Sequence, residues 1–167
     1  MSKLNAARTS QRLQVAEFVF NFNDYAVSAA GVPTTFGSTA VLADPAGLVA
    51  GLVAGTGIVF DALNMPRGAV VVGGEVICET AYVGVGAGAT ITVGTSAAAA
   101  ALLGSTDLDA LAAGSRTALL LTAPLTCNAG LNVRITTAGL TATATAGKFR
   151  VRVMFTIDDR ADEVVPA

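Results

Sequence analysis

The stretch KFRVRVMFTID, Lys148 to Asp158, decides the fold. It alternates without a break. Phe149, Val151, Val153, Phe155 and Ile157 fall on one side, and Lys148, Arg150 and Arg152 form a basic row on the other. Successive side chains of an extended chain point to opposite faces, so this period of two marks a half-buried strand. VAEFVFNFN, Val15 to Asn23, repeats the pattern near the other end. Ala16, Phe18, Phe20 and Phe22 point one way, and Glu17, Val19, Asn21 and Asn23 the other. The two stretches hold most of the aromatic residues and are expected to meet in the core.

Between them run short β segments separated by turn signals. IVFDAL (Ile58 to Leu63) ends at NMPRG, where Pro66 and Gly68 suit a tight turn. AVVVGGEVICETAYV follows, with Gly73–Gly74 as an expected bulge or kink. ATITVG, RTALLLT and LNVRITT (Leu131 to Thr137) come next. LTATAT and a short turn at Ala146–Gly147 then lead into the last strand, with Thr141, Thr143 and Thr145 expected as a ladder beside the basic row. SAAAAALLGSTDLDALAAG is rich in Ala and Leu, and Ser105 could cap a short helix in a connection. Residues 29–57, rich in Gly, Ala, Pro and Thr, give no period.

Seven or eight short strands, mostly joined by hairpins, predict an all-β protein: one antiparallel β-sandwich, jelly-roll-like, with at most one short helix. The expected organisation is an extended N-terminal arm over 1–14, the sandwich over 15–158 and an acidic tail over 159–167.

Composition bears on partners. Hydrophobic residues make up 53% of the 167 and charged residues only 13%, a sparse charge that suits permanent contact with other subunits. A net charge of −2 argues against a general nucleic-acid binder, which needs a basic stripe. Charge is polarised at the two ends. Lys3, Arg8 and Arg12 stand without an acid in the first fourteen residues, while Asp158, Asp159, Asp162 and Glu163 oppose one Arg160 in the last ten. Such a basic arm and acidic tail could pair between neighbouring subunits. Met1 to Gln14 is polar, so no signal peptide is expected. No membrane span is expected either, because the uncharged stretches Pro45–Phe60 and Thr80–Thr106 are broken by Gly and Thr. Cys78 and Cys127 are too few for a disulfide framework, and nothing in the sequence demands a bridge between them.

Chemistry is thin. The chain has no His, which removes the commonest general base, the usual Ser/His and Cys/His pairs and nitrogen-ligand metal sites. Glu75 and Glu79 share one strand face but sit ~13 Å apart at 3.3 Å per residue, too far for a glycosidase pair. Gly84-Val-Gly86-Ala-Gly88-Ala89 runs into a strand, where a dinucleotide-binding turn needs a helix, and reads as a hairpin connection. No catalytic residue, cofactor or metal is expected, and the protein is not expected to be an enzyme. The row Lys148, Arg150 and Arg152 could face an acidic partner, or it could be a solvated face blunting an edge strand. With Lys3, Arg8 and Arg12 it supplies the candidate partner contacts.

Across most of its length the chain resembles the small β-rich virion proteins of tailed bacteriophages, especially capsid decoration or cement proteins. The resemblance lies in the polar arm, FDALNMPRGAVVVGGEVICET, the Ala/Thr/Gly-rich middle with TDLDALAAGSRTALLLT, and the close TATATAGKFRVRVMFTID. It implies a jelly-roll or related sandwich that forms dimers or trimers on the capsid surface and bridges major capsid protein subunits. Two other readings compete: a carbohydrate-binding or adhesion sandwich, and a tail or head-completion virion protein. The first is weakened by the absence of Trp and by having only Tyr25 and Tyr82 to stack on sugars.

Overall fold

The computed structural model describes residues 13–27, 33–38, 58–95, 97–121, 125–127 and 132–157. Every regular element among them is a strand: β1 (Gln14–Asn21), β2 (Tyr25–Val27), β3 (Pro33–Thr35), β4 (Ile58–Asn64), β5 (Ala69–Val83), β6 (Thr90–Thr95), β7 (Leu103–Asp107), β8 (Arg116–Ala118), β9 (Leu125–Cys127), β10 (Asn132–Ala138) and β11 (Ala146–Ile157). They form two antiparallel sheets and a small hairpin, the sandwich that the alternating patterns predict. The first sheet has the order β1-β11-β5-β8, with β9 also paired to β5; the second runs β4-β10-β6-β7; β2 and β3 form the hairpin.

The two strands that decided the class pair directly, from Gln14 opposite Phe155 to Asn21 opposite Lys148. Phe149, Val151, Val153 and Phe155 are buried, as is Phe20. A run of rings joins the sheets: Phe149 to Phe20 at 5.9 Å, Phe20 to Phe36 at 4.4 Å and Phe36 to Phe60 at 4.0 Å between centroids. Phe36 follows β3, so the hairpin closes that end of the core. Val71, Val76 and Val151 from one sheet meet Ile91, Val93, Val133 and Ile135 from the other in a single cluster.

Consecutive strands mostly change sheet instead of forming hairpins, contrary to the sequence expectation. Among the described residues only β2–β3 and β6–β7 are neighbours in both chain and sheet. Pro66–Ala69 is the expected tight turn: the Ala69 N–H donates to the Pro66 carbonyl at 3.1 Å. Gly68, at φ 78°, fills the position where a type II turn needs a left-handed residue. Its work, however, is to carry the chain from β4 in one sheet to β5 in the other. The glycine run Gly84–Ala89 likewise joins β5 to β6 across the sandwich.

Two further expectations change. Within SAAAAALLGSTDLDALAAG the described residues, 97–114, form β7 and irregular chain, with no helix. Leu102, Leu103 and Leu108 are buried. The Leu102 and Leu108 N–H groups donate to the Val93 and Ala89 carbonyls. Pairing with β6 and burial of three leucines override the weak intrinsic preference of Ala for helix. The Thr141/Thr143/Thr145 ladder does not form, because residues 139–145 are irregular. Thr141 and Thr145 instead give their N–H groups to the Val85 and Val83 carbonyls. The Gly73–Gly74 bulge is present: Met154 faces Gly73 and Phe155 faces Val71, leaving Val72 as the extra residue.

Cys78 and Cys127 are both buried. Cys127 lies opposite Ala69, whereas Cys78 lies nine residues farther along β5. At ~3.3 Å per residue that is about 30 Å, far beyond the reach of a disulfide.

Candidate interaction surface

The outer face of the first sheet carries the basic row, and the strand order determines what it meets. β11 is a central strand, flanked by β1 and β5, so the reading of Lys148, Arg150 and Arg152 as guards of an edge is wrong. Flanking strands contribute carboxylates: Glu17 from β1, Glu75 and Glu79 from β5. Arg116 on β8 adds a fourth cation.

These seven side chains form one alternating line. Lys148 Nζ lies 2.8 Å from Glu79 Oε2. Arg150 Nε donates to Glu79 Oε1 at 2.6 Å, and its Nη1 donates to Glu17 Oε1 at 2.5 Å. Arg152 Nε donates to Glu17 Oε2 at 2.6 Å, and its Nη1 to Glu75 Oε1 at 3.3 Å. Arg116 Nη1 closes the line on both Glu75 oxygens at 2.9 and 3.0 Å. Glu79 reaches two cations because it is the extra residue of a second bulge, between the partners of Lys148 and Phe149. Ile77 faces outward, flanked in register by Arg150 and Arg116. It is nonetheless buried and stands outside the main core cluster, covered by the apolar stems of the long side chains.

The line begins and ends on a cation, so four positive groups meet three negative ones. Arg116 is the most open member, with 60% of its side chain exposed. The pairing tunes the carboxylates. Glu17 is held below its ordinary 4.5, first by the Arg152 hydrogen bond and then by the nearby guanidinium charges. Glu79 is lowered likewise, first by Lys148 and then by Arg150. A carboxylate whose pKa falls on folding stabilises the fold above its unfolded value and loses that contribution as pH drops through the folded value. Melting temperature should therefore fall as pH is lowered below about 4.5. Thermal unfolding of the double variant Glu17→Gln, Glu79→Gln should show a shallower acid slope; a slope equal to that of the wild type would contradict the pairing.

Beside the Arg116 end lies an open groove of about 600 Å³ lined by Val15, Glu17, Gly74, Glu75, Arg116, Ala118, Arg152 and Met154. Two carboxylates and two guanidinium groups, paired with one another, share the lining with the apolar Val15, Ala118 and Met154. Val15 is 57% exposed, and Val19 on the same strand is also exposed. Among the described residues, no three acidic, Cys or His side chains gather to hold a metal ion.

Of the six contacts proposed from sequence, Lys148, Arg150 and Arg152 lie together on this face. Lys3, Arg8 and Arg12 lie outside the described residues. Glu17, Glu75, Glu79 and Arg116 were not singled out as contacts, although three of them could be read as facing outward or sharing a face.

No protein-family model matches the chain, and no curated protein does. Among solved structures the chain is similar to one from the cyanophage Pam1 capsid asymmetric unit. The TM-score is 0.54 at 18% identity, over 87% of this chain and 85% of that one. At that identity the likeness is one of fold. It covers nearly the whole of both chains, which are therefore close in length.

Proposed function

We infer that this chain is a non-enzymatic bacteriophage virion protein that decorates the capsid surface and stabilises it by bridging major capsid protein subunits. The observation that carries the reading is the shared fold, over nearly the full length of both chains, with a chain of the Pam1 capsid asymmetric unit. The low charge and the absence of His support it, as does the outer sheet face, where charged groups are paired with one another and apolar residues stay open. A protein that binds only the assembled shell stabilises that shell by mass action, and many copies add their small contributions. In this reading the basic arm with Lys3, Arg8 and Arg12 attaches to the shell, and the protein self-associates as a dimer or trimer. The sugar-binding alternative loses ground because Tyr82 is buried, leaving Tyr25 as the exposed aromatic residue among those described.

The test is binding to expanded capsids that lack the protein, read by co-sedimentation. Wild type should saturate at a fixed ratio to the major capsid protein and raise the temperature of capsid disruption. Removal of residues 1–12, which leaves β1 whole, should weaken attachment while the circular dichroism of the sandwich is unchanged. Equal occupancy by the shortened chain would sink the role of the arm, and no binding by the full chain would sink the reading.

A further inference from the structure

We propose that the outer edge of β1 pairs with β1 of a second copy of this chain. The two strands run antiparallel about a two-fold axis through Glu17 and join the first sheets of both copies. The inference rests on the self-association in the proposed function and names its contact; it does not depend on the capsid.

β1 lies at one side of its sheet, with β11 as its one partner strand among the described residues. The Phe22 N–H donates to the Gly147 carbonyl at 2.9 Å, one step beyond the pair Asn21–Lys148. In an antiparallel pair, residues bonded in this way alternate with residues whose N–H and C=O point away from the partner strand. Phe20, Phe18 and Ala16 therefore bond to β11, while Val15, Glu17, Val19 and Asn21 turn their backbone groups outward. Asn21 fixes the phase independently. Its N–H donates to Asp24 Oδ2 at 2.7 Å, and its carbonyl accepts the Asp24 N–H at 3.1 Å. Val15, Glu17 and Val19 present theirs at the edge, with no backbone partner among the described residues.

This edge also lacks the usual protection. Edge strands are ordinarily blunted by shortness, bulges, Pro or outward Lys. β8 has three residues, and β4 and β7 are interrupted by register shifts against their partners. β1 runs eight residues in unbroken register and holds neither Pro nor Lys. Its one charge, Glu17, is drawn back over β11, where Arg150 and Arg152 hold its two carboxylate oxygens.

Self-complementarity selects the partner. The open residues Val15, Glu17 and Val19 read the same in both directions. A two-fold axis through Glu17 is the register that pairs these three with one another, each pair exchanging two backbone hydrogen bonds. Val15 then lies beside Val19 of the partner subunit, and Val19 beside the partner's Val15. Both valines are exposed on the outer face, so the pairing covers apolar surface there. On the inner face the half-buried Phe18 meets the small Ala16 of the partner subunit. The two Glu17 carboxylates approach each other at the axis, and the Arg150 and Arg152 guanidinium groups of both copies offset their repulsion.

Sedimentation equilibrium of the full chain tests this. Wild type should form dimers. Val19→Pro removes an N–H that β11 does not use, so the sheet keeps its own ladder. Association should nevertheless weaken at least tenfold. Charge tests the register. Val15→Lys with Val19→Lys sets like charges side by side across the axis and should also weaken association at least tenfold. Val15→Lys with Val19→Glu sets opposite charges there and should keep the dimer. Circular dichroism checks that each variant keeps its fold, and the two charge variants decide alone if Val19→Pro does not. A monomeric wild type would overturn the proposal, as would undiminished association by a folded Val19→Pro or equal association by the two charge variants. A monomer whose capsid binding is lost in Val19→Pro would give the edge to a capsid strand and end this inference alone. A dimer that ignores capsids in co-sedimentation would end the capsid reading alone.

Discussion

Phe149→Ala is expected to cost about 3–5 kcal/mol, the range for truncating a fully buried aromatic residue. Phe149 is 0% exposed on the central strand β11. Its ring lies 5.9 Å from Phe20 and 5.1 Å from Tyr82, so truncation breaks the run of rings that ties the first sheet to the second. Neighbours on a paired central strand cannot collapse into the space, which places the cost toward the upper end. For a chain of this size the melting temperature should drop by roughly 10 °C or more, at 2–4 °C per kcal/mol. Val19→Ala, on the exposed side of β1, is the control and should shift it little. A loss below about 1 kcal/mol for Phe149→Ala would mean that the rings do not carry the core.

The second large effect is expected at Gly74. A Cβ there would sit 2.2 Å from the Arg152 carbonyl oxygen and 2.6 Å from Leu119 Cδ1. Leucine can swing away, but a backbone oxygen of the central strand cannot. The φ of +156° adds a conformation that L side chains rarely adopt. Overpacking at ~1–3 kcal/mol and backbone strain of similar size together give about 3 kcal/mol for Gly74→Ala. Gly104 makes the contrast within the same fold: a Cβ there meets nothing within 4 Å. Gly104→Ala should be neutral or slightly stabilising, because it only restricts the unfolded chain. Urea unfolding of the two variants side by side checks this, and equal midpoints would contradict the described packing around Gly74.

The contrast between those glycines shows what could be read from sequence and what could not. Strands β1 and β11 were legible because alternation is a local signal that each stretch carries by itself. Their direct pairing brought Phe20 and Phe149 together as expected. Phe36 was not legible: it lies in a stretch with no period, and its burial depends on the hairpin folding over the end of the core. The Ala-rich stretch before Asp107 misled because helix preference is local and weak, while pairing with the preceding strand β6 and burial of Leu102, Leu103 and Leu108 decide its conformation.

The candidate surface was half legible. Lys148, Arg150 and Arg152 were evident as an outward row, Glu17 as an outward residue and Glu75 with Glu79 as sharing one face. What was missing was the order β1-β11-β5-β8, which sets acid beside base on both sides of β11. Cross-strand neighbours follow from topology, and topology here departs from the hairpin rule because the chain keeps crossing between sheets. Arg116 was still harder to find. It sits on a three-residue strand, and only the register opposite Ile77 places it at the end of the charged line.

In the proposed function this chain coats a capsid. Quantitative mass spectrometry of virus particles purified from its source tests this most directly, by counting its copies against those of the major capsid protein. Capsid coating predicts comparable abundance of the two proteins. Absence from the particle, or a handful of copies as in a tail or head-completion protein, would contradict it.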